Sequence, residues 1–293
     1  MKAFTDIKQF RDVIRSVREH HDYKGKDPEG KAIYKHDSFY PHLRFRGTVK
    51  LHGSNSAIVK YSDGTIKFQS RERDLTLKSD NHNFMLTMSN INVEKLFEGI
   101  SFENYCAIYG EWCGKGIQKG VAISELPKMF VIFAIKIDDV YKPIEDFSYL
   151  KMEEDRVFNI LQFKHYYEDI DFNQPEIIQN KLVELTRNVE NECPVGKYFG
   201  VSGTGEGIVW EAILSDNNRY IFKVKGEKHS SSKVKKLAEV DIEKINSINE
   251  FVEYAVTENR LSQGIDKMRE LGIPLEIEST GKYKISGIVD SND

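Results

Sequence analysis

The chain has 293 residues, 40% of them hydrophobic and 30% charged, with a formal net charge of -4. That balance is the one of an ordinary globular protein; with seven prolines and no low-complexity tract it excludes extensive disorder, and the length suits one large domain plus a small one. No apolar run approaches the roughly 20 residues of a membrane helix, and the net negative charge argues against a purely electrostatic nucleic-acid binder while leaving room for a local basic site.

The N-terminal stretch carries acids and bases throughout and lacks a signal-peptide core. In it Phe4, Ile7, Phe10, Val13 and Ile14 recur at three- and four-residue steps, which predicts a helix. From residue 41 to about 226 the pattern is strand-like. Phe45 to Leu51, Ser56 to Tyr61 and Ile66 to Ser70 are short β-branched or aromatic runs, divided by turns at Gly53-Ser-Asn and Ser62-Asp-Gly. Further strands are predicted at Tyr105 to Tyr109, Met129 to Ile137, Gly207 to Ile213 and Tyr220 to Val224, with a helical interlude at Ile144 to Phe163 and Pro175 to Val189. Beyond Asp241, Ile242, Ile245, Ile248, Phe251, Val252 and Ala255 mark one amphipathic helix. Leu261, Ile265, Met268 and Leu271 mark a second, stopped by Gly272 and Pro274. Cys106, Cys113 and Cys193 match no paired framework or zinc spacing, so a reducing, intracellular, cytoplasmic setting and buried or incidental thiols are expected.

Several segments carry chemistry. Thr48-Val-Lys-Leu-His-Gly-Ser-Asn sets Lys50 at a strand end before a glycine turn, where a plain β-hairpin is the alternative. Glu111 follows an apolar strand and precedes a glycine turn, and Glu206 stands between two glycines. Lys223 and Lys225, two apart, share one face of a strand. Like charges side by side call for anions, which a polyphosphate and a carboxylate would supply; an edge strand guarded by lysines is the structural alternative.

The ordered series Lys50-Leu-His-Gly-Ser-Asn, Ser70-Arg71, Gly110-Glu111, Phe130-Val-Ile-Phe133, Glu206-Gly-Ile-Val and Lys223-Val-Lys225 resembles the six motifs of the covalent lysine nucleotidyltransferases. It is most similar to the nick-sealing branch of ATP-dependent RNA ligases, whose Lys-x-His-Gly-x-Asn is matched through His52 and Asn55. The resemblance spans roughly residues 40 to 236. It implies an α+β fold with an antiparallel-sheet-rich nucleotidyltransferase (ATP-grasp-like ligase) domain over residues 1–236, while the amphipathic pattern beyond it, which matches none of the motifs, predicts a small helix-rich domain over 237–293. It also implies ATP and Mg²⁺ (or Mn²⁺) as cofactors, and as partner an RNA with 5′-phosphate and 3′-OH ends, most simply a nicked duplex, bound by a monomer.

The roles follow from that resemblance and from the chemistry of phosphorus. Lys50, flanked by Val49, would attack the α-phosphate of ATP. A free lysine has a pKa of about 10.4, and Lys223, Lys225 and a metal ion nearby would favour its neutral form. Lys223 and Lys225 would hold developing charge in each in-line displacement. Arg71 would contact a ribose or phosphate, with Arg73 as the alternative. Glu111 would hold the ribose hydroxyls and Glu206 the metal ion. Phe133 would stack on adenine unless it is plain core, Asn55 would orient pyrophosphate, and His52 would serve a later step or merely shape the turn. The run from Lys223 to Lys236, with six lysines and one glutamate, extends a basic track for an RNA backbone or is a solvated surface. Residues 241–293 are expected to clamp the RNA end or to cover an apolar patch. Asn81, His82 and Asn83 form a polar cluster with no assigned role.

Two alternatives stand beside this reading. A DNA ligase or capping-type guanylyltransferase is disfavoured by His52 in place of Asp and by too little chain for their usual extra domain. A non-catalytic nucleic-acid-binding scaffold should have lost Lys50, Glu206 or Lys223, and none is lost.

Overall fold

The computed structural model describes residues 1–36, 39–229 and 240–247, and the backbone of two short strands, Leu275–Ile277 and Tyr283–Ile285. The chain forms two compact units, one of residues 1–13, 42–170 and 178–238, the other of 14–41, 171–177 and 239–293. In chain order the elements are α1 (Phe10–Asp22), β1 (Tyr23–Lys26), β2 (Ala32–Tyr34), β3 (His42–Val49), β4 (Ser54–Tyr61), β5 (Ile66–Ser70), α2 (Phe84–Ser89), β6 (Tyr105–Cys113), β7 (Met129–Ile137), β8 (Val140–Lys142), β9 (Val157–Asn159), β10 (His165–Asp171), α3 (Gln179–Asn191), α4 (Pro194–Tyr198), β11 (Gly207–Ile213) and β12 (Arg219–Lys225).

The first unit is built on two sheets. One has the order β5-β4-β6-β7-β8, with β9 added in parallel to β7; the other has the order β10-β3-β11-β12. Period-two alternation gives each strand two faces. On β4, Ile58 packs with Ile108, Ile132, Trp112 and the α2 residues Phe84 and Met88. Its neighbours Ala57 and Val59 turn to the other face, with Tyr109, Ala134 and Tyr141, against which Phe4 and Phe133 pack. In the second sheet Trp210 and Phe222 stack at 6.4 Å, and Phe222 also meets Phe45 and Phe10. Helix α3 packs on β11 and β12.

In the second unit β1 and β2 pair antiparallel. Arg18 donates through Nε and Nη2 to the Phe172 carbonyl, at 3.2 and 3.0 Å. Residues 242–247 are helical, and Leu275–Ile277 pairs antiparallel with Tyr283–Ile285. Most of the first expected C-terminal helix and all of the second, 261–271, lie outside the described residues.

Three expectations need correction. The interlude from Ile144 to Phe163 is not a helix but three 3₁₀ turns around β9. Arg156 takes a left-handed backbone (φ 57°), and the wholly buried Asn159 side chain accepts from Leu161 N and donates to the Phe147 carbonyl. Val157 and Phe158, β-branched and aromatic, instead cover the edge of β7. The N-terminal helix starts at Phe10 rather than Phe4, because Phe4 packs on the aromatic face of the first sheet. The helix expected from Pro175 begins at Gln179, and β1, β2, β8, β9 and β10 lie where the sequence pattern predicts no strand.

Gly47 lies directly across from Trp210, and a Cβ there would stand 2.7 Å from the indole ring. Gly47→Ala is therefore expected to destabilise the protein by about 1–3 kcal/mol, the usual penalty for overpacking. Thermal or urea unfolding measures it, and an unchanged midpoint would contradict this packing.

Candidate active site

Alternation along the second sheet aims Arg46, Thr48 and Lys50 of β3 and its end, Val209 and Glu211 of β11, and Arg219, Ile221, Lys223 and Lys225 of β12 into one cleft of about 460 Å³. The register sets Thr48 beside Val209 and Val209 beside Lys223, and Arg46 beside Glu211. The first sheet contributes Asn55 and Glu111, which are cross-strand partners, and Phe133. The cleft lies wholly within the first unit.

Its chemical centre is Glu206, whose side chain is only 2% exposed. Lys50 Nζ donates to one carboxylate oxygen and Lys225 Nζ to the other, both at 2.7 Å. His52 Nδ1 stands 3.3 Å from the oxygen that Lys50 uses. Burial alone would raise the Glu206 pKa, but Lys50 and Lys225 hold it below its ordinary value, so the group is a carboxylate. Burial, with Lys50, Lys225 and Arg71 nearby, pushes the Lys223 pKa down, and burial likewise lowers that of His52, with Lys50 and His229 against Glu206. The backbone is tied at the same point: Lys50 N donates to Gly207 O at 2.8 Å, and Gly226 N donates to Glu206 O at 3.0 Å.

Glu111 supports the turn after the lysine. Its carboxylate accepts the Gly53 N–H at 3.0 Å. A Cβ on Gly53 would lie 2.4 Å from the Trp112 carbonyl, so only glycine lets the turn approach this strand. Burial raises the Glu111 pKa to about 7, with Lys50 and the Gly53 N–H opposing the rise.

Arg71 lines the cleft and pairs with Asp6, whereas Arg73 turns to the Ser79 and Asp80 carbonyls. Phe133 is half-buried, lines the cleft and meets Phe4 edge-on at 5.1 Å, so it is more than core. Val49 is buried and lines the cleft beside Lys50. Asn81 donates to Ser54 Oγ at 2.6 Å, which seats the polar cluster against the turn. Residues 230–236 of the lysine run lie outside the described residues. All three cysteines are buried, as expected. No helix among the described residues is long and apolar enough to cross a membrane.

The motif reading missed the N-terminal segment, with Phe4, Thr5 and Ile7 in the cleft, and the charged group Arg46, Glu211 and Arg219 at its far end. The second was within reach: on a strand, Thr48 and Arg46 must share the face of Lys50. Among the described residues no three His, Cys, Asp or Glu side chains cluster as a metal cage. A lone buried carboxylate among ammonium groups fits a divalent ion that takes its other ligands from phosphate and water, the habit of Mg²⁺.

The RNA ligase family model matches residues 44–225, more than half of the chain and every strand that lines the cleft. The chain belongs to the RNA ligase family. Solved structures of an RNA ligase from Naegleria gruberi share the fold. The enzyme with pyrophosphate aligns over 78% of this chain and 57% of its own, at 19% identity and a TM-score of 0.50. A single-site variant with ATP and Mn gives the same coverage, identity and score. A ligand-free variant aligns over 78% and 56%, at 19% identity and a TM-score of 0.51. The chain thus spans less than three-fifths of the Naegleria ligase. No curated protein sequence matches it.

An acid whose native pKa exceeds its unfolded one costs stability as pH rises through that interval. For Glu111 the interval runs from the ordinary 4.5 to about 7. Glu111→Gln, neutral throughout, is expected to remove part of the loss that the native protein shows across that range. Urea unfolding of both proteins at the two ends tests it; equal losses would mean that burying this carboxylate costs nothing.

Proposed function

We propose that this family member is an ATP-dependent RNA ligase that joins 3′-OH and 5′-phosphate RNA ends through an adenylate on Lys50. One observation carries the reading: the Lys50 amine is fixed 2.7 Å from a buried carboxylate, with Lys223 and Lys225 along the same cleft. The family supports the substrate class, and the Naegleria variant solved with ATP and Mn supports the cofactors.

In the first step Lys50 Nζ, as the neutral amine, attacks the α-phosphorus of ATP. An N–P bond forms, the bond to pyrophosphate breaks, and the proton that the amine sheds passes to solvent. Lys50 must first leave its hydrogen bond to Glu206. Glu206 would hold Mg²⁺ or Mn²⁺, which supplies positive charge to the polyphosphate. Lys223 and Lys225 neutralise developing negative charge, and Asn55 orients the departing pyrophosphate. Val209 and Phe133 take the two faces of the adenine, Glu111 the ribose hydroxyls, and Arg71 a ribose or phosphate oxygen once released from Asp6. The RNA 5′-phosphate then displaces Lys50 from the adenylate, and a 3′-hydroxyl displaces AMP. His52, beside Glu206, serves these later steps. A nicked duplex is the natural substrate form, and a monomer suffices.

Lys50→Ala is expected to abolish transfer of label from ATP to protein, yet to seal RNA that already carries a 5′-adenylate. The wild-type adduct should be acid-labile and alkali-stable, as a phosphoramidate is. Label from GTP instead of ATP would replace the ligase reading with a capping enzyme, and sealing of DNA nicks but not RNA nicks with a DNA ligase. Glu206→Ala and Lys223→Ala should each lose sealing by about 100-fold or more, the scale on which charge-stabilising groups act. Wild-type sealing by Glu206→Ala would remove that residue from the site.

A further inference from the structure

In the proposed reaction an RNA end must reach Lys50 and Glu206 from outside the nucleotide cleft, and one exposed basic loop borders that point. Residues 114–120, Gly-Lys-Gly-Ile-Gln-Lys-Gly, follow β6 directly. Lys115, Gly116, Gln118, Lys119 and Gly120 are exposed, whereas Ile117 is buried in the core that holds Trp112. The apolar anchor turns inward and the two ammonium groups outward.

The loop is tied down at both ends. Lys115 N donates to Leu126 O at 2.8 Å and Ala122 N to Thr204 O at 2.9 Å. Thr204 Oγ1 donates to Gly120 O at 3.0 Å, and Thr204 stands two residues before Glu206. At the other end β6 closes on Cys113, and the turn after Lys50 lies against it: a Cβ on Gly53 would be 2.7 Å from Cys113 Cβ. Both ends therefore adjoin residues that flank Lys50 and Glu206, yet no residue of the loop lines the cleft. Gly116 and Gly120 take a left-handed backbone, φ 83° each, and a Cβ at either would meet nothing within 4 Å. Glycine is needed there for the backbone alone, and it leaves the main chain open to close approach.

The charge of the loop is uncompensated. Residues 114–128 hold three lysines and one acid, Glu125. Lys128 Nζ is taken up by the His82 carbonyl at 2.8 Å. Lys115 and Lys119 have no hydrogen-bond or ion-pair partner among the described residues, and Glu125 pairs with neither. We propose that Lys115 and Lys119 bind phosphates of the RNA backbone next to the reacting end, with the loop as a fixed ledge beside Lys50 and Glu206. This rests on the proposal that the protein is an RNA ligase. A lysine ammonium serves phosphate as a point charge, and such contacts position a strand without reading its sequence. The bland rival is a loop whose lysines only keep it solvated.

Binding of a 5′-phosphorylated nicked RNA duplex to the full chain, measured over a range of salt concentrations, separates the two. Each phosphate contact releases counterions, so the slope of log K against log salt should become shallower by about 1 for each lysine removed. Lys115→Gln combined with Lys119→Gln is expected to show a slope shallower by about 2 and a raised KM for the nicked duplex in sealing. Lysyl-adenylate formation from ATP should stay at the wild-type rate, because the loop lies outside the cleft. Lys115→Arg combined with Lys119→Arg keeps both charges and should keep the wild-type slope. An unchanged slope in the Gln pair, an equal loss in the Arg pair, or no binding of the duplex by the wild type would each overturn the assignment. So would an equal loss of adenylate formation in the Gln pair, which would make the loop a mere support for the residues around Glu206. A wild type that forms no adenylate would sink the ligase reading, and the salt slope would still report whether these lysines meet phosphate.

Discussion

A buried carboxylate shared by two ammonium groups organises this protein. Glu206 is desolvated, and an isolated charge in that position would be prohibitively costly. Lys50 from the end of β3 and Lys225 from the end of β12 resolve it, one on each oxygen. The same point fixes the backbone, since Lys50 N and Gly226 N are bonded to the carbonyls of Gly207 and Glu206. Three strands therefore meet at one carboxylate, and the proposed nucleophile, the metal-binding candidate and the phosphate-binding candidates are placed together before any ligand arrives. Preorganisation of that kind is what displacement at phosphorus needs, because little else is asked of the protein.

The electrostatics of the cleft differ from those of the chain. Net charge is -4 overall, yet Lys50, Lys223, Lys225 and Arg71 line the cleft at its Glu206 end. Glu111, with a pKa of about 7, is only partly ionised near neutrality. A local positive excess in a partly buried site attracts polyphosphate whatever the total charge. Sheet alternation makes this possible without loss of core. On β11, Trp210 goes to the interior while Val209 and Glu211 go to the cleft, so one strand serves both stability and chemistry.

Much of the site could be read from residues alone, because its members sit at strand ends and turns with strong local signals. Lys50 before Gly53, and Lys223 and Lys225 two apart, needed only the period of a strand, and the structure brings them to one cleft. Arg71 over Arg73 could not be read, since the choice depends on where the loop after β5 turns. The stretch from Ile144 to Phe163 misled because its apolar spacing mimics a helix, while its real determinants are tertiary: an open edge on β7 and a buried Asn159 that bonds its own neighbours. Phe4 and Ile7 misled in the same way, since a helical period in a short segment does not say whether the residues are helical or lie against an aromatic wall. Arg46, Glu211 and Arg219 carry no motif: alternation alone puts Arg46 on the face of Lys50, but the register is needed to bring Glu211 and Arg219 beside it.

The central claim is that Lys50, held by Glu206, is the nucleophile. Peptide mapping by mass spectrometry after incubation with ATP and Mg²⁺ tests it most directly. The account predicts the mass of one AMP on the peptide that contains Lys50, in a bond that acid removes. An adduct on Lys223, on Lys225 or on a carboxylate, with Lys50 unmodified, would contradict it.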